Sequence, residues 1–589
     1  MNASEITGTQ GGSCMKRTKK RFALLLSATL LLSLLTACSP NGSNGAAGTA
    51  PPSSAQPSTP AEAEGDAARI QGIKDGTYRF ETPVTITTVT ATDSSFKYKN
   101  GETLSDNVHT RWAKEQLGID IQHLWEVPGE QFATKMRLML TAKQELPDVV
   151  TTMDIGLMNE LIESGAYKDV SADFDKYASD RVKEIFSSHP LIWSQVTFEG
   201  KHMGLPYFAN AGNDNAVMWV RQDWLDELGM QAPSTFEELE AFMQALLDKK
   251  PGNTDSIIPL GVSLGSGGGH PNPLAGWLGE STWIFGPFGT VPYQWNQGAD
   301  GKLVHGSTVP EMKKGLEVMR NWYQKGYISK EAGLHDENKL AELIGQGRVG
   351  VVVAPYWMGS WPVPDLQKNV PGATMKPYPI PTENGKAGAR DTTFLKGGML
   401  VRQGFEHTDA LFLYLNRLFA GVDKEPGSEF EHGWAEDYDY TLKADGTVST
   451  VSEDIPGGSV GVYKYFLYEP KDPFSVLQQS ADKGDLLEQG NLTEAEAAAL
   501  GNPDILKAAQ IVVDGWAKDS YWAPKFLGAS TPAMQSKGGI TTKLEGEAIM
   551  AIIYGRKPLE DFDTFVKEWY SIGGEQMTKE ANEWFDSTK

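Results

Sequence analysis

Aromatic residues are concentrated in a Gly- and Pro-rich segment near the middle of the chain. The sequence contains 16 Trp, and the aromatic residues of this segment lack helical spacing: Trp277, Trp283, Phe285, Phe288, Tyr293 and Trp295. Flat rings offer apolar faces on which a ligand can stack. Because core rings on a helix recur at helical intervals and these do not, we expect some of them to line a binding cleft.

A second aromatic group follows a short apolar run, Val349 to Val353, that is typical of a buried strand. Tyr356, Trp357 and Trp361 come directly after it. Ligands of α/β sheets bind outside the carboxyl ends of the strands. We therefore expect these three rings to face a cleft as well.

The motifs that could indicate catalysis are weaker signals than the two aromatic groups. Residues 261–265 read G-x-S-x-G, but a nucleophile elbow requires a helix directly after the serine, and a run of glycines follows instead. There is no H-E-x-x-H, and the nine His show no pairing at helical spacing. The pattern favours a binding protein over an enzyme. Carboxylates are abundant, so a glycosidase pair stays open as the alternative.

The beginning of the chain predicts export. Basic residues at 16–21 precede an apolar stretch at 22–35, which is shorter than a membrane-spanning helix and has the pattern of a signal peptide, residues 1–37. Either Met1 or Met15 can be the start. The segment ends in Leu-Thr-Ala-Cys, which resembles a bacterial lipobox and implies acylation of Cys38. Residues 38–70 are expected to form a flexible linker. The net charge of −23 disfavours nucleic acid as a partner.

The elements that position these groups follow an α/β pattern. A strand at Val84–Thr90, a helical stretch, a short strand at Ile119–Ile121, a second helical stretch and a strand beginning near Val149 alternate along the chain. This order is typical of a mostly parallel sheet covered by helices. It places residues Thr151 to Asp154 near the carboxyl end of a strand, where a ligand is expected.

Several blocks, in order along the chain, resemble the extracellular solute-binding proteins of bacterial ABC importers, and in particular the large lipoprotein branch similar to LplA-type and alginate-binding proteins. The blocks are residues 200–207 (GKHMGLPY), 219–229 (WVRQDWLDELG), 233–239 (PSTFEEL), 322–328 (WYQKGYI), 347–350 (GRVG), 529–534 (ASTPAM) and 552–563.

The resemblance implies a two-lobed fold of the type II periplasmic-binding class, in which discontinuous lobes close on a sugar about a hinge. It implies a monomer that delivers an oligosaccharide or sugar derivative to the importer's permease subunits from the outer face of the cell membrane. A sugar-sensing receptor component is the alternative with the same fold. The expected division is a first lobe at 75–207 and 379–457 and a second lobe at 208–378 and 458–589, with crossings near 206–211, 377–381 and 455–460.

A sugar ligand would need aromatic rings for its C–H faces and planar polar groups for its hydroxyls. A buried polar group that lacks a hydrogen-bond partner costs about 1–3 kcal/mol of free energy. Besides the aromatic groups above, the candidates are Tyr207, Trp219, Arg221, Asp106, Asn107, Trp125 and Asp154. An ion pair with Asp223 is the competing interpretation of Arg221.

Some relatives carry a calcium loop at the position of residues 250–259. Here the loop is shorter, and Ser256 stands where an acidic partner is expected. Calcium needs six to eight oxygen ligands, and only Asp248, Asn253 and Asp255 are close in sequence. We therefore expect no calcium and no other cofactor.

Overall fold

Two groups of β-strands covered by helices organise the part of the chain that the computed structural model describes, residues 60–93, 96–253, 256–265 and 272–588. The expected signal peptide, Cys38 and the first part of the linker lie outside the described residues. The strands are β1 (Val84–Thr92), β2 (Ile119–Pro128), β3 (Val149–Thr152), β4 (Thr197–Phe198), β5 (Lys201–His202), β6 (Leu205–Phe208), β7 (Ala216–Arg221), β8 (Ile258–Gly261), β9 (Trp295–Gln297), β10 (Leu303–His305), β11 (Val349–Pro355), β12 (Met375–Tyr378), β13 (Ala389–Arg390), β14 (Leu395–Val401), β15 (Thr441–Leu442), β16 (Val448–Ser449) and β17 (Tyr521–Trp522).

The α-helices surround these sheets, and short 3₁₀ and π turns connect some of them. They are α1 (Pro60–Lys74), α2 (Val108–Trp112), α3 (Gly129–Thr141), α4 (Ile155–Glu163), α5 (Ser171–Tyr177), α6 (Asp180–Ser187), α7 (Gln222–Leu228), α8 (Phe236–Lys249), α9 (Met312–Lys325), α10 (Glu337–Gly345), α11 (Val363–Asn369), α12 (Thr408–Ala420), α13 (Ser475–Glu488), α14 (Glu494–Leu500), α15 (Pro503–Ala517), α16 (Pro532–Ile553), α17 (Asp561–Trp569) and α18 (Glu575–Ser587).

The first lobe is built on β1, β2, β3, β14 and β6. β1 pairs with β2 in parallel, whereas β14 pairs antiparallel with both β3 and β6. The Thr88 hydroxyl donates to the carbonyl oxygen of Val149 over 3.1 Å and links β1 to β3. The expected parallel pairing thus describes only part of the sheet, because β14 enters it from the other lobe and runs in the opposite direction.

The second lobe is built on a four-stranded sheet in the order β12-β7-β11-β8. β7 enters from the first lobe and runs antiparallel to β11 and β12, while β8 and β11 are parallel. All seven residues of β11 are buried, as its continuous apolar sequence predicts for a central strand covered on both faces.

Three segments connect the lobes, and we call them the crossings: residues 209–215, 390–394 and 469–476. They are hydrogen-bonded to one another. Asn215 Nδ2 donates to Asp391 over 2.7 Å, and the amide of Ala211 donates to the carbonyl oxygen of Pro473 over 2.6 Å. The second and third crossings lie later than the expected 377–381 and 455–460, because Ile380 and Ala389 still pack in the second lobe and Leu467 and Tyr468 in the first. The exact division into lobes stays a prediction.

The linker was expected to run to residue 70, but helix α1 already begins at Pro60. This segment is rich in Ala and Glu, which favour helix formation, and proline is well tolerated in a first helical turn. Its end is held by the first lobe: Ile73 is fully buried, and its carbonyl oxygen accepts a hydrogen bond from Asn416 Nδ2 over 2.9 Å. The predicted linker is therefore too long at its carboxyl end.

Candidate functional site

The edges of the two sheets that adjoin the crossings define the candidate cleft. In the first lobe, β1 and β3 end there, at Thr92 and Thr152. In the second lobe, β11 ends beside the crossings at Pro355. Pro355 is paired with Ala216, which is the first residue after the first crossing. Both edges therefore present the carboxyl ends of strands, where ligands of α/β sheets bind.

Three indole rings form a cluster on the second-lobe edge, which we call the tryptophan cluster: Trp277, Trp357 and Trp361. The Trp277 ring lies 5.4 Å from that of Trp357 and 5.6 Å from that of Trp361, with interplanar angles of 25° and 31°. Trp361 is 39% exposed. Trp357 Nε1 donates to the carbonyl oxygen of Asn213 over 2.8 Å, which fixes the cluster to the first crossing. The rings thus offer a rigid, partly open aromatic surface.

A groove of about 240 Å³ lies on the first-lobe edge and is called here the first-lobe groove. Its walls include the strand-end residues Thr90, Thr151 and Met153, together with Tyr207 and Glu469. The Tyr207 hydroxyl donates to a Glu469 carboxylate oxygen over 3.2 Å. Burial, followed by the nearby Glu469 charge, raises the pKa of Tyr207, so this hydroxyl stays protonated. The groove combines hydroxyl and carboxylate groups that can bind a hydroxyl-rich molecule.

Four of the predicted site residues are instead packed in the core of the second lobe. Trp219, Trp283 and Phe285 are at most 1% exposed. Arg221 is 2% exposed and forms a two-pronged ion pair with Asp223, at 2.9 and 2.6 Å. Side chains buried in this way have no surface left for a ligand. The prediction was wrong for them, and the structural interpretation of Arg221 is correct.

Tyr293 and Trp295 belong to a buried polar cluster beside helix α16. Trp295 is 8% exposed and lies edge-on to His305, with 5.3 Å between ring centres. Glu545 of α16 is 2% exposed, and burial raises its pKa to about 8. The Tyr293 hydroxyl has no hydrogen-bond partner among the described residues, and its pKa is raised by burial and by the Glu545 charge. These two rings serve packing rather than the candidate cleft.

The first-lobe candidates have structural partners. Asn107 is fully buried and caps α2 by accepting hydrogen bonds from two backbone amides, so it offers nothing to a ligand. Trp125 is half-buried and packs 5.5 Å from Phe132. Asp106 is exposed and pairs with Arg111 over 2.8 Å. Asn107 therefore serves local structure, whereas a ligand contact by Trp125 or Asp106 stays a prediction.

Asp154 and Tyr356 stay next to the strand ends. Asp154 caps α4 directly after β3, accepts a hydrogen bond from the Leu157 amide, and keeps 46% of its side chain exposed. Tyr356 directly follows β11 but is only 8% exposed, and burial, followed by the Asp214 charge, raises its pKa. Asp154 therefore remains a candidate, whereas Tyr356 mainly supports the tryptophan cluster.

Sequence reasoning missed Glu469, whereas Met153 lies within the range 151–154 that the strand-end rule places near a ligand. Met153 is 65% exposed at the end of β3, and its position after a buried strand was the available signal. Glu469 lies at the start of the third crossing and also pairs with Lys471 over 3.1 Å. No local sequence pattern predicts the position of Glu469, because that position depends on where the chain crosses from the first lobe to the second.

Metal and membrane features are absent from the part of the chain that the structure describes. No group of three His, Cys, Asp or Glu is placed there to hold a metal ion, and no helix is long and apolar enough to span a bilayer. Asp255 and the side chain of Asn253, both candidates for the calcium loop, lie outside the described residues. The absence of calcium stays a prediction.

Two α/β lobes joined by three crossings, with strand ends facing the junction, define a type II periplasmic-type binding protein. The chain belongs to the bacterial extracellular solute-binding protein family, whose model matches residues 97–403. This confirms the predicted family and fold class. The family binds solutes rather than catalysing reactions.

Among similar proteins, the fructooligosaccharide ABC transporter substrate-binding protein FusA of Streptococcus pneumoniae is 26% identical over 38% of this chain and 42% of its own length. The polygalacturonan/rhamnogalacturonan-binding protein YtcQ of Bacillus subtilis is 22% identical over 76% of this chain and 82% of its own. The crystal structure of the alginate-binding protein AlgQ2 matches with a TM-score of 0.52 and 17% identity, over 87% of this chain and all of AlgQ2.

Proposed function

We propose that this protein is the substrate-binding lipoprotein of an ABC importer and captures an oligosaccharide or sugar derivative between its lobes. The observation that carries the proposal is the tryptophan cluster at the end of β11. Its rings are held by packing and by the hydrogen bond to Asn213, so little conformational entropy is lost when a sugar stacks on them. The similarity to FusA and YtcQ supports a carbohydrate as the ligand.

The first-lobe groove supplies the complementary polar surface in this proposal. Stacking on indole covers the C–H faces of a sugar, and the Tyr207–Glu469 pair offers a donor and acceptors for its hydroxyls. Rotation of the lobes about the three crossings brings the two surfaces onto one ligand. The loaded protein then presents the sugar to the permease subunits.

Ligand-dependent stabilisation tests the proposal. The protein is mixed with fructo-oligosaccharides, polygalacturonan fragments and other glycans, and thermal unfolding is followed. A ligand at about one hundred times its Kd adds roughly 2.7 kcal/mol to the free energy of unfolding, so a cognate glycan raises the melting temperature. Chromatography of the same mixtures should return the glycan unchanged. Shorter products would identify a glycoside hydrolase, and a complete lack of stabilisation would contradict carbohydrate binding.

We further propose that Cys38 carries the lipid anchor, because it ends a lipobox-like sequence. We expect Cys38→Ser to move the protein from the membrane fraction into the culture medium, since removal of the acyl chains removes the apolar surface that holds it. Immunoblots of both fractions measure this. Cys14→Ser, upstream of the expected cleavage site, is the matched control and should leave the distribution unchanged. A Cys38→Ser protein that has lost residues 1–37 and is still membrane-bound would rule out the anchor.

A further inference from the structure

A second cavity, of about 320 Å³, lies among the crossings and shares no residue with the first-lobe groove or the tryptophan cluster. We call it the crossing cavity. All three crossings contribute to its wall, through Ala211, Asp391 to Phe394, and Phe474. The remaining wall comes from both lobes and includes His189 and Trp516. It is therefore a separate concave site at the junction of the lobes.

Four rings form a continuous aromatic wall in this cavity: His189, Phe394, Phe474 and Trp516. The Phe474 ring lies 5.0 Å from Phe394, 5.6 Å from His189 and 6.0 Å from Trp516. The rings of Phe394 and His189 meet edge to face at 5.3 Å. Because the rings pack against one another, they form a rigid aromatic wall, of which His189, Phe474 and Trp516 are only partly buried.

A carboxylate without a cationic partner lies beside these rings. Asp391 accepts hydrogen bonds from Asn215 Nδ2 at 2.7 Å and Trp516 Nε1 at 3.3 Å. Within the described residues, no lysine or arginine pairs with it or lines the cavity. Burial raises the pKa of Asp391, and burial lowers the pKa of His189 despite the nearby Asp391 charge. His189 is therefore neutral near neutral pH and does not balance the Asp391 charge.

The other charged groups around the cavity add to the uncompensated negative charge of Asp391. Asp519 also lines the wall and adds a second acidic group. Lys525 is exposed and lies outside the lining, although it is close enough to lower the pKa of His189. A ligand that brings a positive charge would compensate the partly buried Asp391 carboxylate, whereas a neutral ligand would leave it unpaired.

We propose that the crossing cavity binds a small organic cation of the substituted-ammonium class. Cations are attracted to the faces of aromatic rings, by about 0.5–2 kcal/mol per contact, and the Asp391 carboxylate supplies the counter-charge. A bare metal ion is disfavoured, because it requires several oxygen ligands where this site offers rings. This site is distinct from the proposed carbohydrate cleft, so either proposal can fail alone.

Calorimetric titration of the full chain with choline tests the proposal, and 3,3-dimethylbutan-1-ol serves as the control because it is a neutral carbon isostere of choline. We expect saturable choline binding and affinity for the alcohol that is weaker by about tenfold or more. No saturable binding of choline or tetramethylammonium, or equal binding of the alcohol, would overturn the assignment.

Two variants locate the site. Asp391→Asn keeps an oxygen for the Asn215 hydrogen bond but removes the charge, and it should weaken choline binding by about tenfold or more. Phe474→Leu retains an apolar side chain but removes a ring face, and it should weaken binding by roughly threefold to tenfold. Melting curves identify a variant that fails to fold. If one variant fails, the choline affinity of the other variant tests the proposal. Unchanged choline affinity in a folded variant would overturn the proposal. Leu334→Ala, at an exposed position outside the cavity lining, should leave choline affinity unchanged.

Discussion

Replacing Trp357 and Trp361 together by alanine should lower glycan affinity by roughly thirtyfold or more, because each lost ring removes about 1–2 kcal/mol of stacking. Trp361 is 39% exposed and Trp357 is half-buried, so the variant should still fold. Calorimetric titration with the glycan found in the stabilisation screen gives the two affinities.

Leu334→Ala is the matched control for this pair. Leu334 is 81% exposed on the second lobe and lies outside the tryptophan cluster, so its truncation should leave glycan affinity unchanged. Trp361→Phe keeps a ring and should recover part of the lost affinity. A double alanine variant that binds the glycan as tightly as the parent would exclude the tryptophan cluster as the sugar platform, even if the protein binds carbohydrate elsewhere.

Glu545→Gln should remove a large pH dependence from the stability of the protein. The Glu545 pKa is about 8 in the folded chain and near 4.3 in an unfolded one, so the folded state retains a proton that the unfolded state releases. The stabilisation of the parent is complete at low pH and is lost as pH rises towards 8. The loss is about 1.4 kcal/mol per pH unit, or roughly 4 kcal/mol between pH 5 and pH 8. Glutamine is neutral throughout and avoids this loss.

Denaturant unfolding of parent and variant across this pH range measures the difference. The neighbours of Glu545 in the buried cluster include Tyr293, Ser307 and His305. The Nδ1 atom of His305 lies 3.9 Å from the Glu545 carboxylate. Burial lowers the His305 pKa to about 4, but this titration is common to both proteins and largely cancels in the difference. Glu547→Gln is the control, because Glu547 is exposed on the same helix. Parallel stability curves for parent and Glu545→Gln would mean that Glu545 is ionised in the fold.

Four of the strands were predictable from the sequence: β1, β2, β3 and β11. The apolar run at 349–353 forms the central strand β11, and the block at 233–239 contains the start of α8, where Thr235 accepts a hydrogen bond from the Glu238 amide over 3.2 Å. These signals are local: a buried strand needs continuous apolar residues, and a helix start needs a cap. The direction of each strand relative to its neighbours was less predictable, because β7 and β14 enter their sheets from the opposite lobe.

The side chains of the irregular segments were much harder to place. The ring spacing between Trp277 and Trp295 correctly excluded a helix, but it carried no information about which rings face inward. Trp277 joins the tryptophan cluster, whereas Trp283 packs 5.5 Å from Phe236 in the core. The strand-end rule correctly put Trp357 and Trp361 beside the end of β11, because it fixes position through the sheet rather than through local sequence. Tyr356, which the same rule included, is only 8% exposed, and ligand binding by the two indoles stays a prediction.

The crossings also determine how the protein responds to a broken backbone. With three covalent connections, cleavage of any one leaves the halves tethered by the other two, and the hydrogen bonds among Ala211, Pro473, Asn215 and Asp391 hold the cut ends in register. The arrangement therefore tolerates a single proteolytic nick outside the cell without immediate separation of its two halves.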